Sequence, residues 1–249
     1  MPSVTSPVGR IAMWSGPRNL STALMRSFEN RPDTCVTDEP LYGVYLHTTG
    51  KQHPGAAEIM EKMELNWRNV VTRLCGAPPG GHSIWYQKHM AHHLLPTMGR
   101  DWLDDVDNVL LIRDPARVVA SYVQQHGSVC AEDLGYAQLL EIGEHVMAST
   151  GAPPFVVEAE QLQADPETTL RCLCAHLEIA FDVAMLSWPA GPRDSDGVWA
   201  PHWYAGVEAS TGFKRATSAA PVRLEGHLQQ VVDAVTPIYD RLRGWNLQR

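Results

Sequence analysis

No apolar run in these 249 residues approaches the roughly 20 that a membrane-spanning helix needs, and no charged-then-apolar leader opens the chain. A soluble, cytoplasmic protein with no membrane partner is therefore expected. Paired cysteines are missing too: Cys35, Cys75, Cys130, Cys172 and Cys174 are odd in number, and their spacing matches no zinc pattern. Reduced thiols follow, with Cys172 and Cys174 reading as packing residues of one helix. No compact run of metal ligands stands out either. Positive charge is in deficit. With 20 Lys and Arg against 28 Asp and Glu the formal charge is −8, which argues against nucleic acid as a partner, since that needs a basic surface to displace condensed counterions. Any anionic ligand must be held by local features. No low-complexity linker divides the chain, so a single domain over 1–249 is expected.

What the sequence does contain is alternation. Short apolar runs at 11–14, 34–37, 83–87, 108–112 and 155–157 read as strands, the clearest being Val109-Leu110-Leu111-Ile112. Between them lie helical patterns: one from Leu20 through Leu24 and Phe28, one over 56–74, one around Leu94, Leu95 and Met98, one over 131–149 and a last over 222–243. Asp114-Pro115 and Asp165-Pro166 each supply a cap followed by a proline suited to the first helical position. Strands that are apolar throughout, separated by helices, imply an α/β fold with a mostly parallel central sheet and helices on both faces. Residues 10–185 carry this pattern. The stretch 186–215 is long and irregular, and its group Trp199, His202, Trp203 and Tyr204 is a candidate pocket on a substrate or nucleotide loop.

Polar residues gather at the strand ends. In a parallel sheet the carboxyl ends share one edge, so Arg18, Glu39, His89 and Arg113 are expected to converge on one cleft. The stretch 10–22 reads as strand, turn and helix, and such a junction aims backbone amides and the positive end of a helix dipole at one point. Arg18 adds a charge, and Ser21 and Thr22 add hydroxyls. The second glycine and the lysine of the ATP-binding pattern are both absent, which disfavours a kinase or ATPase.

Pro17-Arg18-Asn19-Leu20-Ser21-Thr22 resembles the 5′-phosphosulfate loop of sulfotransferases that use 3′-phosphoadenosine 5′-phosphosulfate (PAPS). Leu111-Ile112-Arg113-Asp114-Pro115 through Ser121-Tyr122 resembles the family's 3′-phosphate motif, and the resemblance assigns Arg113 and Ser121 to that phosphate. Val157 to Pro166 with Leu170 is similar to a further strand-to-helix segment of the family, and Lys88-His89 with Leu94-Leu95-Pro96 to the region around a catalytic histidine. The resemblance implies a three-layer P-loop-like fold. It also implies sulfuryl transfer from PAPS to a hydroxyl or amine of a small-molecule acceptor, leaving adenosine 3′,5′-bisphosphate. Arg18 and Lys88 would stabilise charge on the donor. Glu39 and His89 are alternative bases, His89 by likeness to cytosolic enzymes and Glu39 by its place after the second strand.

The sequence departs from the family at three points. Leu20 stands where glycine is usual, Lys88 and His89 are adjacent rather than one residue apart, and the Arg-Lys-Gly segment near the carboxyl end is replaced at best by Lys214-Arg215. Two other functions fit a phosphate-binding α/β fold, a nucleotide-dependent phosphotransferase and a non-catalytic nucleotide-binding module. Preference for ATP over the bisphosphate would mark the first, and nucleotide binding without turnover the second.

Overall fold

The computed structural model describes residues 9–214 and 222–246. Its strands are β1 (Gly9–Ser15), β2 (Thr34–Asp38), β3 (Ile84–Met90), β4 (Asp107–Ile112) and β5 (Phe155–Glu158). They form one sheet in the order β2-β3-β1-β4-β5, with every neighbouring pair parallel. The helices are α1 (Ser21–Glu29), α2 (Tyr42–Thr49), α3 (Ala56–Lys62), α4 (Trp67–Leu74), α5 (Pro115–His126), α6 (Tyr136–Thr150), α7 (Ala159–Ala164), α8 (Pro166–His176), α9 (Ala200–Trp203), α10 (Ala205–Glu208) and α11 (Gly226–Asn246).

Each apolar run is a strand because both faces of the sheet are covered. Ile11, Met13 and Leu111 enter one apolar layer, with Leu24 and Phe28 of α1 and Leu170 of α8. Ala12, Trp14 and Leu110 enter the other, with residues of α4, α5, α6 and α11. A strand with two buried faces has no polar side to show, which is why these runs lack alternation. The proline-led helices start as their sequences dictate. Asp114 accepts from the Arg117 amide at 3.0 Å and Asp165 from the Thr168 amide at 3.1 Å, each ahead of a proline in the first turn.

Four helical expectations change. The segment 56–74 splits because Met63 is extended and Glu64 and Asn66 bond locally. Glu64 accepts from the Asn66 amide at 2.8 Å, and Asn66 caps α4 by accepting from the Arg68 amide at 3.0 Å. Around Leu94 only one tight turn forms, Ala91–His93, since Pro96 cannot donate in a continuing helix. The segment 131–149 divides at Gly135, whose φ of 73° lies outside the helical range. The last helix begins at Gly226 rather than 222. α2 has no counterpart among the expected helices: Tyr42, Gly43, Val44, Tyr45 and Leu46 are buried in succession, so no single apolar stripe marks it.

The chain leaves β1 toward β2 on one side and leaves β4 toward β5 on the other. The connections therefore part between β1 and β4, at the sheet's centre, and open a crevice at the carboxyl ends of the strands.

Candidate active site

β1 ends at Ser15 and the backbone turns at once. A Cβ on Gly16 would run into the carbonyl of Leu134, so the turn requires glycine. Arg18 and Leu20 both take left-handed backbone, at φ 62° and 69°. Leu20 thus adopts the conformation that glycine takes freely, at a strain of roughly 1–2 kcal/mol. Its side chain packs on the apolar layer beneath α1, which holds it there. Leu20 also sits at the cap position without a polar group to offer, so the first amides of α1 gain no side-chain cap from it.

A set of hydrogen bonds clasps this loop to the end of β4. The Arg18 Nε donates to Ser121 Oγ at 2.9 Å, and an Arg113 guanidinium nitrogen donates to the Arg18 carbonyl at 2.7 Å. Asn19 Nδ2 donates to the Leu111 carbonyl at 3.3 Å, while the Tyr136 hydroxyl donates to the Arg113 carbonyl at 2.6 Å. Arg113 Nε is buried without a hydrogen bond, and the nearest acid, Glu160, lies 3.8 Å away. Partial desolvation and then the charge of Arg113 lower the Arg18 pKa. Two guanidinium groups are thereby held together beside a helix N-terminus with little acid to neutralise them, an arrangement that a polyanion completes.

The other end of the cleft is fully compensated. Lys88 Nζ donates to Asp38 Oδ1 at 2.8 Å, Glu39 Oε1 at 2.6 Å and the Tyr204 hydroxyl at 2.7 Å, which uses all three ammonium hydrogens. Tyr204 accepts a second bond from Trp199 Nε1 at 3.1 Å and donates to Asp38 Oδ2 at 2.7 Å. Burial pulls the Lys88 pKa down, yet Asp38 and Glu39 hold it well above its ordinary value. Burial pushes the Glu39 carboxyl up; Lys88 opposes that and Asp38 adds to it. Glu39 also takes a φ of 39° just before Pro40, a backbone strain of the sort found where a side chain must be aimed.

A cleft of about 570 Å³ joins the two ends. The structure brings Pro17, Arg18, Asn19, Leu20, Ser21 and Thr22 to its wall together with Glu39, Lys88 and Arg113, and Ser121 reaches it through Arg18. His89 is not brought there. Side chains alternate along β3, so when Lys88 enters the cleft its neighbour must leave on the opposite face. His89 stacks on Trp14 with ring centroids 4.2 Å apart, and its Nε2 lies 3.3 Å from Gln87 Oε1. Burial, with Lys88 adding to it, lowers its pKa to about 3. Buried on the opposite face of the sheet and absent from the cleft wall, His89 is withdrawn as a base. Met90, one residue further, lines the cleft instead.

Several cleft residues lay outside the sequence expectation. Tyr42, His53, His92 and His93 form a further part of the cleft wall, Tyr42 brought there by α2, His53 by the loop before α3 and the two adjacent histidines by the turn after β3. The one available signal was the pair His92-His93 after a strand end. His202, Trp203 and Tyr204 line the cleft from the 186–215 stretch, whereas Trp199 lies beneath it against Tyr204. Lys214 is at the rim, and Arg215 falls outside the described residues.

A parallel sheet in this order, with a glycine-requiring turn running into a helix after its central strand, defines the P-loop-like class of fold. Within that class, a family model described as a sulfotransferase domain matches residues 9–245, and the chain belongs to that family. The crystal structure of a sulfotransferase from Alicyclobacillus acidocaldarius shares the fold, with a TM-score of 0.52 at 12% identity over 96% of this chain and 95% of that one. Two Arabidopsis thaliana proteins, branched-chain-amino-acid aminotransferase-like proteins 1 and 2, are 40% and 37% identical over 233 residues, which is 94% of this chain. The chain spans 41% of the length of each of these relatives.

Proposed function

We propose that this protein transfers a sulfuryl group from PAPS to a hydroxyl or amine of a small, uncharged acceptor, with Glu39 as the general base. The observation that carries the proposal is that one cleft holds an under-neutralised arginine clasp at the β1 and β4 ends and a buried carboxylate at the β2 end. Arg113 and Ser121 suit the 3′-phosphate, and the amides of α1 with Ser21 and Thr22 suit the phosphosulfate. PAPS supplies the sulfuryl group: its S–O bond to the 5′-phosphate breaks with the electron pair leaving on phosphate oxygen, as an S–O or S–N bond to the acceptor forms.

The chain's own residues do the rest. Glu39 removes the acceptor proton, and its raised pKa makes it a stronger base than an exposed carboxylate. Lys88 fixes one oxygen of Glu39, since every hydrogen of its ammonium is already committed. It reaches the donor only by releasing one of these bonds. Tyr42, His53, His93 and Trp203 give the acceptor side an aromatic, weakly polar wall, which favours an uncharged ring or polyol over a polyanion. A cytoplasmic setting agrees with the five unpaired cysteines. Among the described residues, no helix is long and apolar enough to cross a membrane.

Calorimetric titration with adenosine 3′,5′-bisphosphate, ATP and ADP tests the nucleotide. Binding of the bisphosphate in preference to both is expected, and clear ATP binding without it refutes the proposal. Glu39→Gln is expected to keep bisphosphate affinity while turnover falls at least 100-fold.

A further inference from the structure

Lys88 occupies one oxygen of Glu39, and the other faces a histidine, His93, whose ring nitrogens the reaction described above does not use. Glu39 Oε2 lies 4.0 Å from His93 Nδ1, about 1 Å beyond hydrogen-bond range. That nitrogen is buried and has no hydrogen-bond partner, in a side chain only 2% exposed. The ring is fixed in its plane between two tyrosines of α2. Its centroid is 4.7 Å from that of Tyr42 at an interplanar angle of 10°, and 4.6 Å from that of Tyr45 at 30°. A stacked, buried ring with a bare polar edge pays for that edge unless the edge meets something.

We propose that His93 is the positioning residue for Glu39, donating its Nδ1–H toward Oε2 so that the carboxylate stays ionised and aimed at the acceptor. The proposal rests on Glu39 as the base. The tautomer follows from the geometry: an unprotonated Nδ1 would set a lone pair against a carboxylate oxygen, whereas Nδ1–H sets a donor there. Burial, with His92, His53 and Lys88 adding to it, keeps the ring neutral, so the donor is imidazole and not imidazolium. The groups packed around the pair are Tyr42 and Tyr45 from α2, His53 before α3, His92 on the same turn, Asp38 at the end of β2, Lys88 and His89 on β3 and Tyr204 after α9. Of these, Lys88 holds Oε1 and none has a hydrogen bond to His93 Nδ1. Binding of an acceptor that closes the cleft by about 1 Å completes the bond, as catalytic hydrogen bonds commonly tighten on substrate binding.

Three replacements separate positioning from packing. An asparagine amide nitrogen falls near the place of Nδ1, a glutamine amide nitrogen near that of Nε2, and phenylalanine keeps the stacked ring without either. Protein labelled with ¹³C at the glutamate carboxyl carbon, with the Glu39 signal assigned by its loss in Glu39→Gln, gives the titration of Glu39 directly. In His93→Phe the Glu39 midpoint is expected to rise by about one pH unit and kcat to fall about tenfold, with acceptor KM within about twofold. His93→Asn is expected to restore both to within about threefold, and His93→Gln to restore neither. An unmoved Glu39 midpoint in His93→Phe, or equal rescue by Asn and Gln, overturns the proposal. Should His93→Phe not fold, judged by lost bisphosphate binding, the contrast between Asn and Gln decides alone. If PAPS supports no turnover in any form yet the midpoint moves as stated, the sulfotransfer reading fails while the positioning contact stands.

Discussion

Arg18 and Arg113 meet across the ends of β1 and β4, while Lys88 stands at the end of β3, and these basic groups are treated in opposite ways. The arginine clasp is partly open to solvent, has Glu160 at 3.8 Å as its nearest acid, and leaves Arg113 Nε without a hydrogen bond. Lys88 is 1% exposed and surrounded by Asp38, Glu39 and Tyr204, each within 2.8 Å. A cationic site with too few acceptors is stable only near solvent and becomes complete when an anion arrives. A cation with all its hydrogens used fixes the groups around it and has none left for a ligand. On the proposed reading the first site binds the donor, and the second holds the base in place.

Lys88→Met breaks the comparison most severely. It leaves Asp38 and Glu39 buried without their cation, so stability should fall by about 3–5 kcal/mol in a denaturant titration. A fall below about 1 kcal/mol would show that the acids are already protonated and that the compensated site is not ionic. Arg113→Ala addresses the other end. Bisphosphate affinity should drop roughly 10- to 100-fold, the loss of charge-assisted bonds to phosphate, while stability changes by less than about 1 kcal/mol. A large loss of stability with unchanged affinity would exchange the roles assigned to the two sites.

Acid should separate the two ends as well. His89 and His92 are buried in the folded protein with pKa values lowered to about 3, by burial first, then by Lys88 for His89 and by His53 for His92. Their unfolded values lie near 6.5, so between those limits the unfolded chain binds more protons. Stability is then full above about pH 6.5 and declines as pH falls toward 3, by about 2 kcal/mol for each histidine at pH 5. Both arginines keep their charge throughout. A Tm that is flat from pH 7 to 5 would mean the histidines are not buried as described. The smallest effect is expected from Leu20→Gly. Relief of left-handed strain and loss of a half-buried side chain oppose each other, leaving stability within about 1 kcal/mol and bisphosphate affinity within about twofold. A tenfold change in affinity would show that the leucine side chain itself, rather than the backbone it bends, contacts the nucleotide.

Much of this site was legible in the sequence because its signals are local. Val109 to Ile112 followed by Arg113-Asp114-Pro115 reads as strand, charge and helix start from adjacent residues alone, and the structure shows Asp114 capping α5. The turn at Gly16 and the helix at Ser21 were readable for the same reason. α2 was not, since its buried residues follow one another without a period. Tyr204 was seen only as one of four candidate pocket residues, because its bond to Lys88 spans 116 residues of chain.

The sequence by itself determined the five strands, their order along the chain, and a polar cluster at the end of each of the first four. It also determined that the turn after β1 runs into a helix start carrying no P-loop lysine. Those properties follow from hydrophobic runs, turn residues and caps, which act over a few neighbouring residues. Only the tertiary structure decided between Lys88 and His89. Asp38 pairs with Lys88 and Trp14 with His89, and that register turns one into the cleft and the other into the apolar layer behind it. The choice is a matter of which sheet face a residue meets, and the pairing partners that set the face lie dozens of residues away.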